Sequence, residues 1–329
     1  MKGMLIKKCH SGLSGIHPCS KETHYADIMY FVAGLLITAA IMLLPAGSFG
    51  AGAVNISHVQ SLYSDDKGSG LSHPEGVACN EDSLAVVADS ENGRLLRFIY
   101  KDKSVKAEPE IKVPQLSYPI VVRLNSKSEI FALDGKDRRI VHLSPEGQFL
   151  GYLEPSGLPS PLSFVPRSFD IDKDDNIYIL DIFSRRLLVL NPEGAFRKFF
   201  HLPEGNGFFT DVSVDFKGNV LIIDGINARV FFAVEGSSDF SPLTESLKGY
   251  MRFPTSMATD NRGRIYLVDR NGSRIVVVGQ DGSFLGHLSE RGWKEGLLNY
   301  PSQLCINDNG DVFIADTNNN RVQIFTLVK

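Results

Sequence analysis

The chain has 329 residues, 43% of them apolar, with 30 glycines, 16 prolines and a formal net charge of -4. That composition excludes a disordered polymer and describes a globular chain rich in turns, long enough for one large all-β domain or two ordinary ones. Charges of both signs are interspersed, with no long single-sign block.

Residues 1–53 differ from the rest. Ile28 to Leu44 is apolar and uncharged; Lys2, Lys7, Lys8 and Lys21 precede it, and Pro45, Gly47, Ser48 and Gly50 to Ala53 follow. A positive flank, an apolar stretch and small residues in that order make an export signal. The run is slightly short for a membrane span, which needs about 20 residues. Cleavage after Ala53 is the expectation, with an uncleaved membrane anchor as the alternative and a start codon assigned too early as a third reading. Cys9 and Cys19, with His10, His17 and His24 nearby, match no zinc or haem spacing. Residues 1–53 hold four lysines and two carboxylates, so the remainder carries 30 basic and 36 acidic residues, a net of -6. An acidic domain is a poor partner for nucleic acid.

From residue 54 onward one pattern recurs. A short apolar strand ends in Asp, four residues intervene, and Arg opens another apolar strand. The pairs are Asp89 with Arg94, Asp134 with Arg139, Asp181 with Arg186, Asp224 with Arg229, Asp269 with Arg274, and Asp316 with Arg321. The Asp residues are 45, 47, 43, 45 and 47 positions apart, a period that marks propeller blades. Each unit holds four strand-like stretches separated by turn residues. In the fifth they are Ser256 to Thr259, Arg264 to Val268, Arg274 to Val278 and Ser283 to Leu288. Four antiparallel strands make a blade, so the sequence predicts an all-β six-bladed β-propeller over 54–329. Across a four-residue loop Asp and Arg face each other, where the carboxylate can accept loop N–H groups and an Arg hydrogen bond together. A pair repeated in every unit is architecture, not a catalytic dyad.

The sixth unit stops one strand short, at Val322 to Val328. Val54 to Tyr63 is the expected donor of the missing strand, closing the ring and protecting the sheet edges.

The end of the chain resembles the NHL-repeat family. The resemblance rests on Gly282-Ser283-Phe284-Leu285-Gly286, Gly292, Gly296, Tyr300-Pro301, Asp308-Asn309-Gly310-Asp311-Val312-Phe313-Ile314-Ala315-Asp316 and Asn318-Asn319-Asn320-Arg321-Val322-Gln323-Ile324-Phe325. It extends over about residues 54 to 329 and is weaker in units two and four. There Thr210 stands where other units open with Pro, and Gly225 follows Asp224. The resemblance implies that ligands bind at one mouth of a central channel, lined by the residues after each opening Pro. These are Glu75, Ile120, Arg167, Asp211, Thr255 and Ser302, with Ser168, Ser256 and Gln303 one step further. Glu75, Arg167, Asp211, Gln303 and Thr255 are the candidate binding residues, because they diverge from blade to blade where a scaffold position would repeat. The plain alternative is solvated loop ends in a water-filled channel. Loops on the same face carry Glu91, Lys136, Asp137, Arg138, Arg185, Arg270 and Asn319, with apolar Phe183 and Ile226 as candidate contact anchors. Mixed polar groups suit a protein or peptide partner better than nucleic acid.

Six-bladed relatives include lyases and lactonase-like hydrolases. The lyases place metal-binding His beside the opening Pro; here no opening Pro is followed by His. Of His58, His73, His142, His201 and His287, four are expected on or near outer strands, away from the axis, and only His73 near the mouth, and one His cannot build a His-rich metal site. No nucleophile elbow or phosphate loop appears. No cofactor is called for, although calcium could be held by Glu75 and Asp211. The run Asp172 to Asn176 reads as a tight turn rather than a calcium loop. The expectation is a monomeric, non-catalytic, exported binding propeller, with a divergent lyase or lactonase-like hydrolase using an axial metal as the alternative. Cys79 and Cys305 lie on the innermost strands of the first and last blades. They sit five and four positions after their prolines, hence on opposite sheet faces, and the expectation is two buried free thiols rather than a disulfide.

Overall fold

The computed structural model describes residues 54–81, 83–205 and 207–328, all within one compact unit. The export or anchor reading of residues 1–53, with its apolar run 28–44, lies outside the described residues. Among the described residues no helix is long and apolar enough to cross a membrane.

Six four-stranded antiparallel sheets follow one another along the chain. Their innermost strands are Pro74–Cys79, Pro119–Leu124, Pro166–Ile171, Phe209–Val214, Pro254–Thr259 and Leu304–Ile306, which define blades 1 to 6. The second strands of blades 2 to 5, such as Ile177–Asp181 and Ile265–Asp269, are buried at every position, and those of blades 1 and 6 at every position but the first. That burial explains their unbroken apolar run: each blade is covered on both faces, so alternation of polar and apolar residues has no role there. Odd and even positions go to different neighbours. In blade 3, Ile177 and Ile179 pack with blade 2 while Tyr178 and Leu180 pack with blade 4. The core is accordingly six apolar clusters between adjacent blades, including one between blades 6 and 1.

The sixth sheet has the order Asn55–Leu62, Arg321–Val328, Asp311–Asp316, Leu304–Ile306. Its outer strand therefore comes from the start of the described chain, paired antiparallel from Asn55 opposite Val328 to Leu62 opposite Val322.

Cys79 and Cys305 are joined in a disulfide, which corrects the expectation of free thiols. The alternation argument placed them on opposite faces of their sheets, and that placement is right. Adjacent blades, however, present opposite faces to each other. Val77 and Cys79 face blade 6, while Cys305 and Phe313 face blade 1, all in one apolar cluster. Opposite parity is the condition for meeting across a blade interface.

The Asp–Arg pairs occupy opposed hairpin positions in blades 1, 3, 4, 5 and 6. All six Asp residues are at most 3% exposed. Four make the ion pair: Asp89–Arg94 at 2.7 Å, Asp181–Arg186 at 3.0 Å, Asp269–Arg274 at 3.2 Å and Asp316–Arg321 at 2.7 Å. In each of these the guanidinium also donates to carbonyls of the linker entering the blade: Ser69 and Gly70, Pro159 and Pro161, Tyr250, or Lys294 and Leu297. Blades 2 and 4 depart from the expectation. Arg139 lies over the Tyr152 ring and 3.3 Å from Glu154, and Arg229 turns to Glu245 at 3.7 Å. Among the described residues no linker carbonyl receives either guanidinium. Asp134 is filled instead by backbone N–H groups of Ser117, Tyr118, Lys136 and Asp137.

Candidate functional site

Where the innermost strands begin, all six blades contribute to one axial cavity. Its lining includes Glu75, Ile120, Arg167, Ser168, Asp211, Thr255, Ser256, Arg270, Ser302 and Gln303. The five candidates named from sequence, Glu75, Arg167, Asp211, Thr255 and Gln303, are thus brought together around one axis, with a cavity volume of about 60 Å³. A second axial cavity, of about 200 Å³, lies toward the other end of these strands, lined by Arg123, Asp170, Ser213, Thr259, Cys79 and Cys305 among others.

The five do not play one role. Asp211 is buried and its two oxygens are spent on neighbouring blades: Ser168 Oγ donates to one at 2.5 Å and the Met257 N–H to the other at 2.9 Å. Buried Gln303 accepts the Val77 N–H of blade 1 at 2.9 Å. Gly76 makes room for that contact, since a Cβ there would lie 3.1 Å from the Gln303 oxygen and 3.2 Å from the Ile120 carbonyl. Thr255 donates to the Ser302 carbonyl, and Ser302 to the Glu75 carbonyl. Such bonds stitch adjacent blades at the mouth and satisfy backbone groups that a strand start leaves open.

Glu75 and Arg167 are the candidates whose charged ends these stitches leave unspent. Glu75 has Arg270 Nη2 at 3.5 Å and the Tyr118 hydroxyl at 3.5 Å. Arg167 stands 5.4 Å from the centre of the Phe208 ring, and its buried Nε has no hydrogen-bond partner. Burial first, then the like charge of Arg138, pushes the Arg167 guanidinium below its usual value; Asp211 and Glu75 pull it back up and Arg270 pushes it down. Burial, with Glu75 and Glu91, raises the Tyr118 phenol. Ser256 is 3% exposed and its Oγ is likewise without a partner.

The apolar anchors named from sequence are exposed, Phe183 by 63% and Ile226 by 53%. The linker entering blade 4 joins them: Phe208 is exposed, its carbonyl accepts the Gly225 N–H, and the Pro203 carbonyl accepts from Arg185. Sequence reasoning missed Tyr118 and Phe208, which precede their strands by one residue. Phe209 stands opposite Asp224 as Pro74, Pro119, Pro166 and Pro254 stand opposite their Asp residues, so Phe209, and not Thr210 as the sequence suggested, takes the place of the opening Pro in blade 4; the signal was the position before it. Asp172 accepts the N–H groups of Asp174 and Asn176, forming the tight turn expected there.

A calcium or zinc site built on Glu75 and Asp211 does not fit these donors. Asp211 is hydrogen-bonded on both oxygens and Glu75 faces a cation. Among the described residues no group of three or more His, Cys, Asp or Glu converges.

Comparison with known proteins agrees with the geometry. Residues 298–325, in blade 6, match the NHL repeat. No curated protein matches the sequence. Among solved structures, virginiamycin B lyase from Staphylococcus aureus is 13% identical with a TM-score of 0.56, covering 84% of this chain and 100% of its own. A gluconolactonase from Xanthomonas campestris is 14% identical with a TM-score of 0.60, covering 86% of this chain and 94% of its own. A Bacteroides thetaiotaomicron protein of unknown function is 14% identical with a TM-score of 0.61, covering 84% of this chain and 76% of its own. At these identities the likeness is one of fold. The chain is a six-bladed β-propeller whose last blade is an NHL repeat.

Proposed function

We propose that this protein is an exported, non-catalytic binding propeller that recognises a protein, peptide or small ligand at the mouth where its innermost strands begin. One observation carries the reading: side chains of all six blades converge there, yet they differ in kind, while the Asp residues behind them repeat. Scaffold positions repeat because each blade poses the same packing problem; Glu75 and Arg167 answer no shared one. The Cys79–Cys305 disulfide supports export, since disulfides persist in oxidising compartments. We further propose that strand Asn55–Leu62 and this disulfide together hold the ring shut between blades 6 and 1. The distant likeness to a lyase and a gluconolactonase supports an enzyme reading only through shared architecture.

The test is capture of partners from a membrane fraction by the full-length chain and by its Glu75→Ala and Arg167→Ala variants. A partner contacting the mouth should bind at least about 30-fold more weakly to one of them, the loss of a hot-spot residue. If every interaction survives both changes, the mouth is not the binding face. A stoichiometric, tightly held calcium or zinc in the purified chain would favour the lyase or hydrolase alternative.

A further inference from the structure

We propose that the mouth is a receptor for a single carboxylate group carried next to an apolar group, held chiefly by Arg167. The proposal rests on the reading of the mouth as the binding face and names the chemistry of what binds there. Arg167 is a guanidinium without an ion-pair partner among the described residues, and its Nε is buried and unbonded in a cavity wall. A buried donor left without an acceptor is destabilising, more so when charged, so such a group marks a place where a ligand supplies the acceptor. The Ser256 hydroxyl, buried and also unbonded, lines the same cavity. It offers a second donor from a different blade.

Charge and size narrow the ligand. Of the other charged groups lining the cavity, Glu75 lies 3.5 Å from Arg270 and Asp211 is hydrogen-bonded on both oxygens. Arg167 is the cation left for an anionic ligand. A planar carboxylate also matches the guanidinium fork. The cavity, at about 60 Å³, is far below the roughly 300–1,000 Å³ of a site that engulfs a drug-sized ligand. It takes the end of a ligand, and the remainder must lie on the rim. Phe208, exposed and beside Arg167, provides an apolar surface there, and its linker is hydrogen-bonded to the loops that carry exposed Phe183 and Ile226. An acidic peptide segment with an apolar neighbour and a small arylalkyl acid share this chemistry.

The experiment titrates the purified full-length chain by calorimetry with phenylacetate, phenyl phosphate, 2-phenylethanol and the blocked peptide acetyl-Leu-Glu-Phe-amide. Phenylacetate or the peptide should bind saturably, at least about tenfold more tightly than the uncharged alcohol, as expected for a charge-assisted pair. Whichever of the two is tighter identifies the source of the carboxylate. Arg167→Gln should weaken that binding at least about tenfold. Arg167→Lys, which keeps the charge but not the fork, should recover only part of it. Ser256→Ala removes an unbonded group, so it should leave thermal stability unchanged while weakening binding a few-fold. No saturable binding by either carboxylate, equal binding of the alcohol, preference for phenyl phosphate, or binding unchanged in both Arg167 variants would overturn the proposal. Partner capture that depends on Glu75 or Arg167 alongside silent carboxylate titrations would sink this inference alone and leave the binding propeller standing.

Discussion

At the scale of single residues, the same Asp does two jobs of different cost. Asp181 accepts N–H groups from Val165, Phe183 and Ser184 and pairs with buried Arg186. Asp181→Ala leaves that guanidinium buried without its anion, and should destabilise by about 3–5 kcal/mol in urea unfolding. Arg139, 46% exposed on an exposed Glu154, should cost no more than about 1 kcal/mol as Arg139→Ala. Equal costs would mean that the pairs are decoration. The carboxylates also set the acid limb of stability. Burial works to raise Asp134, but backbone N–H groups outweigh it and hold the carboxyl below its ordinary range; backbone bonds and Arg94 do the same for Asp65. Groups depressed in the fold stabilise it above their unfolded pKa, about 4, and that contribution is lost as pH falls through their folded values. Asp170 and Asp316, raised chiefly by burial, act with the opposite sign: their contribution is lost as pH rises. The expected result is that Asp134→Asn flattens the loss of stability below about pH 4, which denaturation midpoints across pH would reveal.

At the scale of elements, the blade interface is the unit of packing, and the disulfide lies in one. It spans 226 residues of sequence, so reduction, or Cys79→Ala with Cys305→Ala, should lower stability by about 2–5 kcal/mol with the sheet content retained. A urea midpoint that does not move with reductant would show that the interface does without it. The hairpin logic was legible in the sequence, because opposed Asp and Arg follow from loop length alone. The failures at Arg139 and Arg229 were not. They turn on whether an incoming linker places a carbonyl within reach, and linkers carry no periodic signal.

At the scale of the molecule, strand Asn55–Leu62 lies in the same sheet as the last three strands. If it holds the ring shut, removing residues 54–63 should expose backbone in every blade rather than fray one end. Hydrogen exchange would then speed up in blades 1 to 6 alike. Protection persisting in blades 2 to 5 would show that the ring stands without it. The mouth belongs to this scale too. Glu75 and Arg167 are 92 positions apart in the sequence, and a repeated register sets both on one axial cavity.

The period of the Asp residues, the loop between Asp and Arg and the two-residue alternation of strands were enough to determine six blades of four strands, and which residue opens each blade where a Pro marks it; in blade 4, without a Pro, the opening was misplaced by one residue, from Phe209 to Thr210. These are local quantities, set by backbone geometry within about 45 residues. What only the tertiary structure decided was how one blade meets the next. Cys79 and Cys305 bond because neighbouring sheets show each other opposite faces. Asp211 and Gln303 became ties between blades, and Arg167 and Ser256 kept open hydrogen-bonding groups. Each of those outcomes depends on the distance between strands far apart in the chain, which no spacing within a repeat encodes.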